Sequence, residues 1–200
     1  MILTQRFHDA LGYAMELHAT QVRKGTTIPY LAHLLAVASL VIEHGSTEDE
    51  AIAALLHDAI EDQGGAPTRE AIRRRFGDTV VTIVDGCTDA EVVPKPPWQQ
   101  RKEAYIAHLQ HAPPAVHLVS IADKLHNARA ILTDYRTLGD TLWARFNGGR
   151  EGTLWYYQAL LQVFREVGTA PVALIHELDL VIRQLESFVQ GFRVAYQGPS

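Results

Sequence analysis

Apolar residues recur along this chain at intervals of three and four, the spacing of one face of an α-helix. In the first such stretch Phe7, Leu11, Ala14 and Met15 follow Thr4, a residue type that caps helix N-termini. No stretch alternates β-branched and polar residues in the way that a half-buried strand does. The sequence therefore predicts an all-α fold in the form of a helical bundle.

Glycine and proline divide the predicted helices. Pro29 suits the first turn of a second helix, which should end at Gly45. A third helix should run unbroken through Asp62 and end at the glycine pair 64–65. The proline-rich residues 89–98 predict a loop. Further helices are expected over residues 68–77, 99–111, 114–138, 153–167 and 171–188, with an apolar turn or helix over 79–84.

Length and composition predict one domain. The chain has 200 residues, 47% of them hydrophobic, and a single core can grow to about 250 residues before a chain divides. We therefore expect one domain over residues 1–196, followed by a frayed tail over 197–200.

Charge and cysteine content restrict the partners and the compartment. The net charge of -5 argues against a nucleic-acid binder, which usually has a basic face, but it leaves a small anionic substrate open. Cys87 is the only cysteine, which suits a reducing cytoplasm. No apolar run approaches the ~20 residues that a membrane span needs. We expect a cytoplasmic protein that binds no membrane, and homo-oligomerisation stays open.

The third predicted helix is apolar in its first half and then carries His57, Asp58, Glu61 and Asp62. His57 lies four residues before Glu61, and Asp58 lies four residues before Asp62. At this helical spacing all four side chains share one patch. Burying several carboxylates together is costly unless a cation or hydrogen bonds compensate. A metal ion would compensate.

Two more residues of suitable type lie in apolar helical surroundings, His33 in the second helix and Asp123 in the helix over 114–138. With His57 and Asp58 they make a set of two nitrogen and two oxygen donors. Such a set suits Mn²⁺, Fe²⁺ or Mg²⁺ better than a structural zinc ion.

These residues, in this order on an all-α chain, resemble the metal-dependent HD-domain phosphohydrolases, and among them the (p)ppGpp hydrolases. Arg23-Lys24-Gly25 ahead of His33 looks like their substrate loop, and residues 57–62 are similar to their HDxxED helix. Residues 84–88 (Val-Asp-Gly-Cys-Thr) and 121–127 (Ile-Ala-Asp-Lys-Leu-His-Asn) continue the match. The resemblance covers roughly residues 4–135.

The resemblance implies a Mn²⁺-dependent enzyme, with Fe²⁺ or Mg²⁺ as alternatives, that hydrolyses ppGpp or pppGpp to GDP or GTP and pyrophosphate. Its implied metal ligands are His33, His57, Asp58 and Asp123. Glu61 and Asp62 would activate the water and move its proton. The implied substrate contacts are Arg23 and Lys24 at the guanine or its phosphates, Lys124 and Asn127 on the ribose side, and Arg150 and Tyr156 at phosphate and nucleoside.

Two departures from the family keep alternatives open. With 200 residues there is no room for the synthetase and regulatory domains of the long relatives, so a stand-alone small alarmone hydrolase is expected. Residues 146–157 differ from the tail of the animal-type small hydrolases, so an HD phosphohydrolase for another phosphorylated nucleotide stays open. A catalytically idle nucleotide-binding module is the third reading, although Glu61 and Asp62 argue against it.

Two further interpretations concern residues outside this set. Arg101 and Lys102 follow the proline-rich loop and could contact a distal phosphate. His126 is expected to be structural or to lie at the surface.

Overall fold

A computed structural model describes residues 1–89 and 94–196, with side chains described up to residue 189. The all-α prediction is confirmed: the described chain consists of α-helices, one 3₁₀ helix and loops, with a single antiparallel bridge between Val22 and Pro29. The predicted tail over 197–200 lies outside the described residues. The helices are α1 (Gln5–Leu17), α2 (Leu31–Glu43), α3 (Glu48–Leu56), α4 (Ala59–Asp62), α5 (Ala66–Phe76), α6 (Asp78–Cys87), α7 (Trp98–Leu109), α8 (Pro114–Leu138), the 3₁₀ helix (Gly139–Arg145), α9 (Gly149–Val167) and α10 (Val172–Tyr196).

Helix α8 is the central element of the bundle. It packs against α2, α3, α6, α9 and α10, and its apolar residues are buried on several sides. Along its first half the polar residues His117, Ser120 and Asp123 are also buried. A helix that is buried nearly all round carries its polar side chains into the interior, where they need partners. No helix of the described chain is long and apolar enough to cross a membrane.

Helix α3 is the second buried element. A capping box between Thr47 and Glu50 begins it, and every residue from Ala51 to Leu56 is fully buried. The helix lies among α1, α2, α6 and α8. Because the helix ends inside the bundle, whatever follows Leu56 is delivered to the interior.

The prediction of an unbroken third helix through Asp62 is wrong. Helix α3 ends at Leu56, His57 and Asp58 form a turn, and α4 begins at Ala59. The Nδ1 atom of His57 hydrogen-bonds to the carbonyl oxygen of Ala54, the acceptor that the backbone of Asp58 would use in a continuous helix. This side-chain hydrogen bond coincides with the end of α3 at the turn formed by His57 and Asp58.

The region after α8 also differs from the prediction. The 3₁₀ helix begins at Gly139, whose φ of 55° ends α8, and the sequence pattern gave no sign of it. Helix α9 begins at Gly149 rather than at residue 153, and Thr153 hydrogen-bonds to the Gly149 carbonyl oxygen at 2.6 Å. The aromatic ring of Trp98 packs directly on Gly148 and Gly152, since a Cβ at Gly148 would lie 2.6 Å from it.

Gly86 makes the contact between α6 and α8 close, because a Cβ there would lie 2.4 Å from Cγ2 of Val116. We expect Gly86→Ala to lower the free energy of unfolding by about 1–3 kcal/mol through overpacking. The matched control is Gly12→Ala in α1, where an added Cβ meets nothing within 4 Å. That variant should gain up to about 1 kcal/mol from helix propensity. Urea denaturation followed by circular dichroism measures both, and equal shifts would contradict the packing argument.

Candidate metal centre and active site

The turn between α3 and α4 presents His57 and Asp58 to the interior. His57 is 2% exposed, and its Nδ1 lies 2.8 Å from the carbonyl oxygen of Ala54. A carbonyl oxygen only accepts, so Nδ1 donates this bond and Nε2 faces away from the helix. Nε2 lies 3.0 Å from Oδ2 of Asp58 but has no aligned hydrogen-bond partner among the described residues.

His33 of α2 lies beside this turn and is fully buried. Its Nε2 is 3.6 Å from Oδ2 of Asp58 and 3.2 Å from Oδ1 of Asp123. This nitrogen also lacks a hydrogen-bond partner within the described part of the chain. Two buried imidazole nitrogens therefore face the same two carboxylates without being hydrogen-bonded to them.

Asp123 of α8 brings the second carboxylate. Its Oδ1 is 3.7 Å from Nε2 of His57 and accepts a 2.5 Å hydrogen bond from Nδ2 of Asn127. The ammonium group of Lys124 donates to Oδ2 at 2.6 Å. Burial by itself would raise the pKa of Asp123, but Lys124 and the two histidines hold it well below its ordinary value. The carboxylate is therefore ionised.

The donor set fits a divalent cation. One ligand atom each from His33, His57 and Asp58 lies within 4.8 Å of the others. Unpaired buried nitrogens next to ionised carboxylates are costly, and a cation between them would satisfy both. Burial lowers the pKa of His57, yet Asp58 and Asp123 raise it well above its ordinary value, so a proton competes with a cation for this space. These three residues could hold a divalent metal.

Two supporting side chains escaped the sequence reasoning. The hydroxyl of Tyr30 donates to Oδ2 of Asp58 at 2.5 Å, and Nδ1 of His126 lies 2.8 Å from Nδ1 of His33. Burial and the neighbouring charges of His33 and Arg23 lower the pKa of His126 to about 4, so it is neutral at pH 7. Helical spacing carries the signal that could have found His126, which follows Asp123 by three residues.

Glu61 and Asp62, the predicted water-activating pair, have different surroundings. Glu61 accepts hydrogen bonds from Nζ of Lys95 at 2.6 Å and from the backbone N–H of Asp89 at 3.1 Å. Asp62 accepts one from Nε2 of Gln21 at 2.9 Å. Burial and the charge of Asp58 raise the pKa of Asp62 above its ordinary value. The two carboxylates are thus held by separate segments of the chain.

Two adjoining cavities flank this cluster. One, of about 360 Å³, is cationic, because five basic side chains line it against Glu61 and Asp89 among the described residues. We call it the cationic cavity; its basic residues are Lys24, Lys95, Arg101, Lys102 and Lys124. The other, of about 470 Å³, reaches His33 and is mainly apolar; we call it the apolar cavity. The two share a wall formed by Lys24, Asn127, Ile131 and Phe146.

The cationic cavity contains a crowded group of charges at its α7 side. Asp89 accepts from Nη1 of Arg101 at 2.7 Å and from Nζ of Lys102 at 2.6 Å. Burial and the nearby Lys124 lower the pKa of Lys102. An anion in this cavity would relieve the repulsion between the two lysines.

The predicted substrate residues are distributed between these cavities, with one exception. Arg23 lines the apolar cavity and donates to Oδ1 of Asn127 at 2.7 Å. Tyr156 lines the cationic cavity, where Nζ of Lys102 lies 4.8 Å from its ring centre and its buried hydroxyl has no partner among the described residues. Arg150 lines neither cavity and instead pairs with Glu151 at 2.9 Å.

This helical architecture, with histidines and carboxylates of α2, the α3–α4 turn and α8 around one point, is that of the HD domain. The chain belongs to the HD-domain family, whose model matches residues 10–154. The family resemblance of the sequence is thereby confirmed.

Individual relatives are more specific. The guanosine-3′,5′-bis(diphosphate) 3′-pyrophosphohydrolase MESH1 of Xenopus tropicalis is 39% identical over 124 residues, which cover 60% of this chain and 66% of that protein. The chain thus spans just under two thirds of the frog protein. MESH1 of Mus musculus is 32% identical over 174 residues, covering 80% of this chain and 93% of that protein. A solved structure described as a metazoan ortholog of SpoT that hydrolyzes ppGpp has a TM-score of 0.77 at 25% identity, covering 92% of this chain and 97% of that chain.

Removing the carboxylate of Asp58 should remove the metal. Loss of an outer partner alone costs metal affinity about 10–100-fold, so we expect Asp58→Ala to weaken binding of Mn²⁺ by more than about 100-fold. Metal content after dialysis against limiting Mn²⁺, read by mass spectrometry, measures this. Asp9→Ala, an exposed position on α1, is the control and should keep the wild-type content. Unchanged metal content in Asp58→Ala would contradict the assignment.

Proposed function

We propose that this chain is a metal-dependent hydrolase of guanosine 3′,5′-bis(diphosphate), releasing pyrophosphate from the 3′ position of ppGpp or pppGpp. The observation that carries the proposal is that the apolar cavity reaches His33 and shares a wall with the cationic cavity, in which Lys124 and Asn127 hydrogen-bond to Asp123. A nucleotide with phosphates at two positions needs a site for its base and one for each phosphate group. The names of the frog and mouse relatives support the same substrate.

The metal would be held by His33, His57, Asp58 and Asp123. We propose Mn²⁺, with Fe²⁺ or Mg²⁺ as alternatives, because a set of two nitrogens and two oxygens suits these ions. A divalent cation there would supply polarisation of the phosphoryl oxygens and would lower the pKa of a nearby water. Tyr30 and His126 would keep Asp58 and His33 in their orientations.

Glu61 is proposed as the general base. Its carboxylate keeps free lone pairs after accepting from Lys95 and the Asp89 N–H, so it can take a proton from the attacking water. The water oxygen bonds to the phosphorus, the 3′-oxygen leaves, and a proton returns to that oxygen. The raised pKa of Asp62 suits it to hold this proton between the two steps.

The remaining predicted contacts have proposed roles in binding. Lys24, which lines the cationic cavity, would neutralise phosphate oxygens, and Lys124 in the same cavity would lie on the ribose side. Asn127 and Arg23, joined at 2.7 Å, would contact the ribose and the base between the cavities. Tyr156 would donate its unpaired hydroxyl to the substrate. Arg150 would contact a phosphate only after leaving Glu151, with which it pairs in the structure.

The wider context is also a proposal. We propose that residues 1–196 act as one hydrolase domain, because α8 packs against helices from both ends of the chain. A cytoplasmic location is consistent with the single cysteine, Cys87.

Purified protein with Mn²⁺ should convert ppGpp to GDP and pyrophosphate. Anion-exchange chromatography of the nucleotides measures the turnover, and Asp58→Ala is the inactive control. If only another phosphorylated nucleotide is hydrolysed, the proposed substrate is wrong and the hydrolase function stands. If ppGpp binds but is not hydrolysed with any of the metal ions tested, a catalytically idle nucleotide-binding module is favoured.

Glu61→Gln should keep the metal and lose about 100-fold or more in kcat, because general-base catalysis contributes about 10²–10⁴-fold. Metal content and steady-state kinetics on ppGpp are measured side by side. The matched control is Glu103→Gln on α7, whose exposed carboxylate contacts only Gln99 among the described residues. Wild-type kcat in Glu61→Gln would exclude the general-base role.

A further inference from the structure

One face of α8 forms a continuous side of the apolar cavity. Asn127, Ala130, Ile131 and Asp134 line the cavity, and they follow Asp123 at helical spacings of three and four. Asp134 comes eleven residues after Asp123, which places it about 16 Å along the helix axis at about 1.5 Å per residue. The cavity therefore has the histidine–carboxylate cluster at one end and a carboxylate at the other.

Asp134 is paired with Arg145 at this far end. Nη1 of Arg145 donates to Oδ2 of Asp134 at 2.9 Å, and no hydrogen bond within the described chain uses Oδ1. The Arg145 side chain also packs on the backbone of Gly25, where a Cβ would lie 2.6 Å from its Nε. Arg145 is thus fixed between α8 and the loop that carries Arg23 and Lys24. The pair thus places a carboxylate acceptor, Asp134, next to a guanidinium donor, Arg145, in the wall of the apolar cavity.

We propose that Asp134 and Arg145 recognise the base of the substrate as guanine; this rests on the proposed function and specifies it. Guanine offers two donors, N1–H and the 2-amino group, beside one acceptor, O6. The carboxylate of Asp134 accepts from both donors, and a free N–H of Arg145 donates to O6. The apolar side chains of Ile28, Ala130 and Ile131 cover the faces of the ring system.

Other purines fit this pair less well. Adenine turns the lone pair of N1 toward the carboxylate and its 6-amino group toward the guanidinium, so both contacts become repulsive. Hypoxanthine keeps N1–H and O6 but lacks the 2-amino group, so it loses one hydrogen bond to a charged acceptor. A site built to hydrogen-bond a group discriminates strongly against an analogue without it, because its own polar atoms stay unpaired.

Base preference in the wild-type protein is the first test and needs no variant. Calorimetric titration of the full chain with GDP, IDP and ADP, with no metal added, measures the three affinities. We expect GDP to bind about 10–100-fold more tightly than ADP, with IDP between them. Equal affinities for GDP and ADP would overturn the proposal.

Substitutions then assign the preference to these residues. Asp134→Asn and Arg145→Gln should each reduce the GDP-to-ADP affinity ratio about tenfold or more and raise KM for ppGpp more than they lower kcat. Asp134→Glu should retain part of the preference. The matched control is Arg136→Gln on the same helix, which removes a contact with Gln184 of α10 and should leave the ratio unchanged. Thermal denaturation and metal content verify that each variant is folded.

The outcomes separate this proposal from the function on which it rests. If the protein turns over ppGpp and Asp134→Asn keeps the wild-type base preference, the assignment of Asp134 is overturned and the hydrolase function stands. If the protein does not turn over ppGpp but prefers GDP, and Asp134→Asn removes that preference, the hydrolase function is overturned and base recognition by this pair is supported. A variant that raises KM more than it lowers kcat has lost substrate binding, whereas general damage to the fold would lower kcat as well.

Discussion

The structure depends on burying two imidazoles and two carboxylates around one point. Charged groups removed from water cost free energy unless opposite charges or hydrogen bonds compensate. Here the ionised carboxylates Asp58 and Asp123 face the unpaired Nε2 atoms of His33 and His57 at 3.0–3.7 Å. Only a proton or a cation can relieve that arrangement, so metal binding and stability of the core are linked.

The helices around this cluster are arranged so that its side chains cannot relax away. His33 comes from α2, which packs on both α3 and α8, and the His57 turn follows the fully buried helix α3. Tyr30 bonds Asp58, His126 contacts His33, and both Lys124 and Asn127 bond Asp123. The backbone of Ala54 holds His57. A centre built on packed helices and held by hydrogen bonds keeps its geometry without a flexible loop.

Helix α8 connects the histidine–carboxylate cluster with both cavities. The same face carries Asp123 at the cluster, Asn127 at the shared wall and Asp134 at the far end of the apolar cavity. Segments distant in sequence complete the two cavities, the 21–28 loop on one side and the start of α7 on the other. Because the helix is rigid, the distance between the cluster and Asp134 is set by the rise per residue of α8.

The sequence by itself determined the helical class, the family, and the identity of the clustered residues. Those inferences rest on local quantities: the 3.6-residue period, the cap at Thr4, and the order of His33, His57-Asp58 and Asp123. The interruption at His57 could not be predicted from periodicity, because buried apolar residues continue beyond it at Ala59 and Ile60. It coincides with a side-chain hydrogen bond from His57 to the Ala54 carbonyl oxygen.

Tertiary structure alone decided which distant residues meet. Helical spacing relates side chains within one helix, but it contains nothing about the pairing of Arg145 with Asp134 or of Lys95 with Glu61. Such contacts depend on the angles at which α7, α8 and the 3₁₀ helix pack, which are fixed by the shapes of many core side chains together. The sequence specified the clustered histidines and carboxylates, and packing specified the cavities beside them.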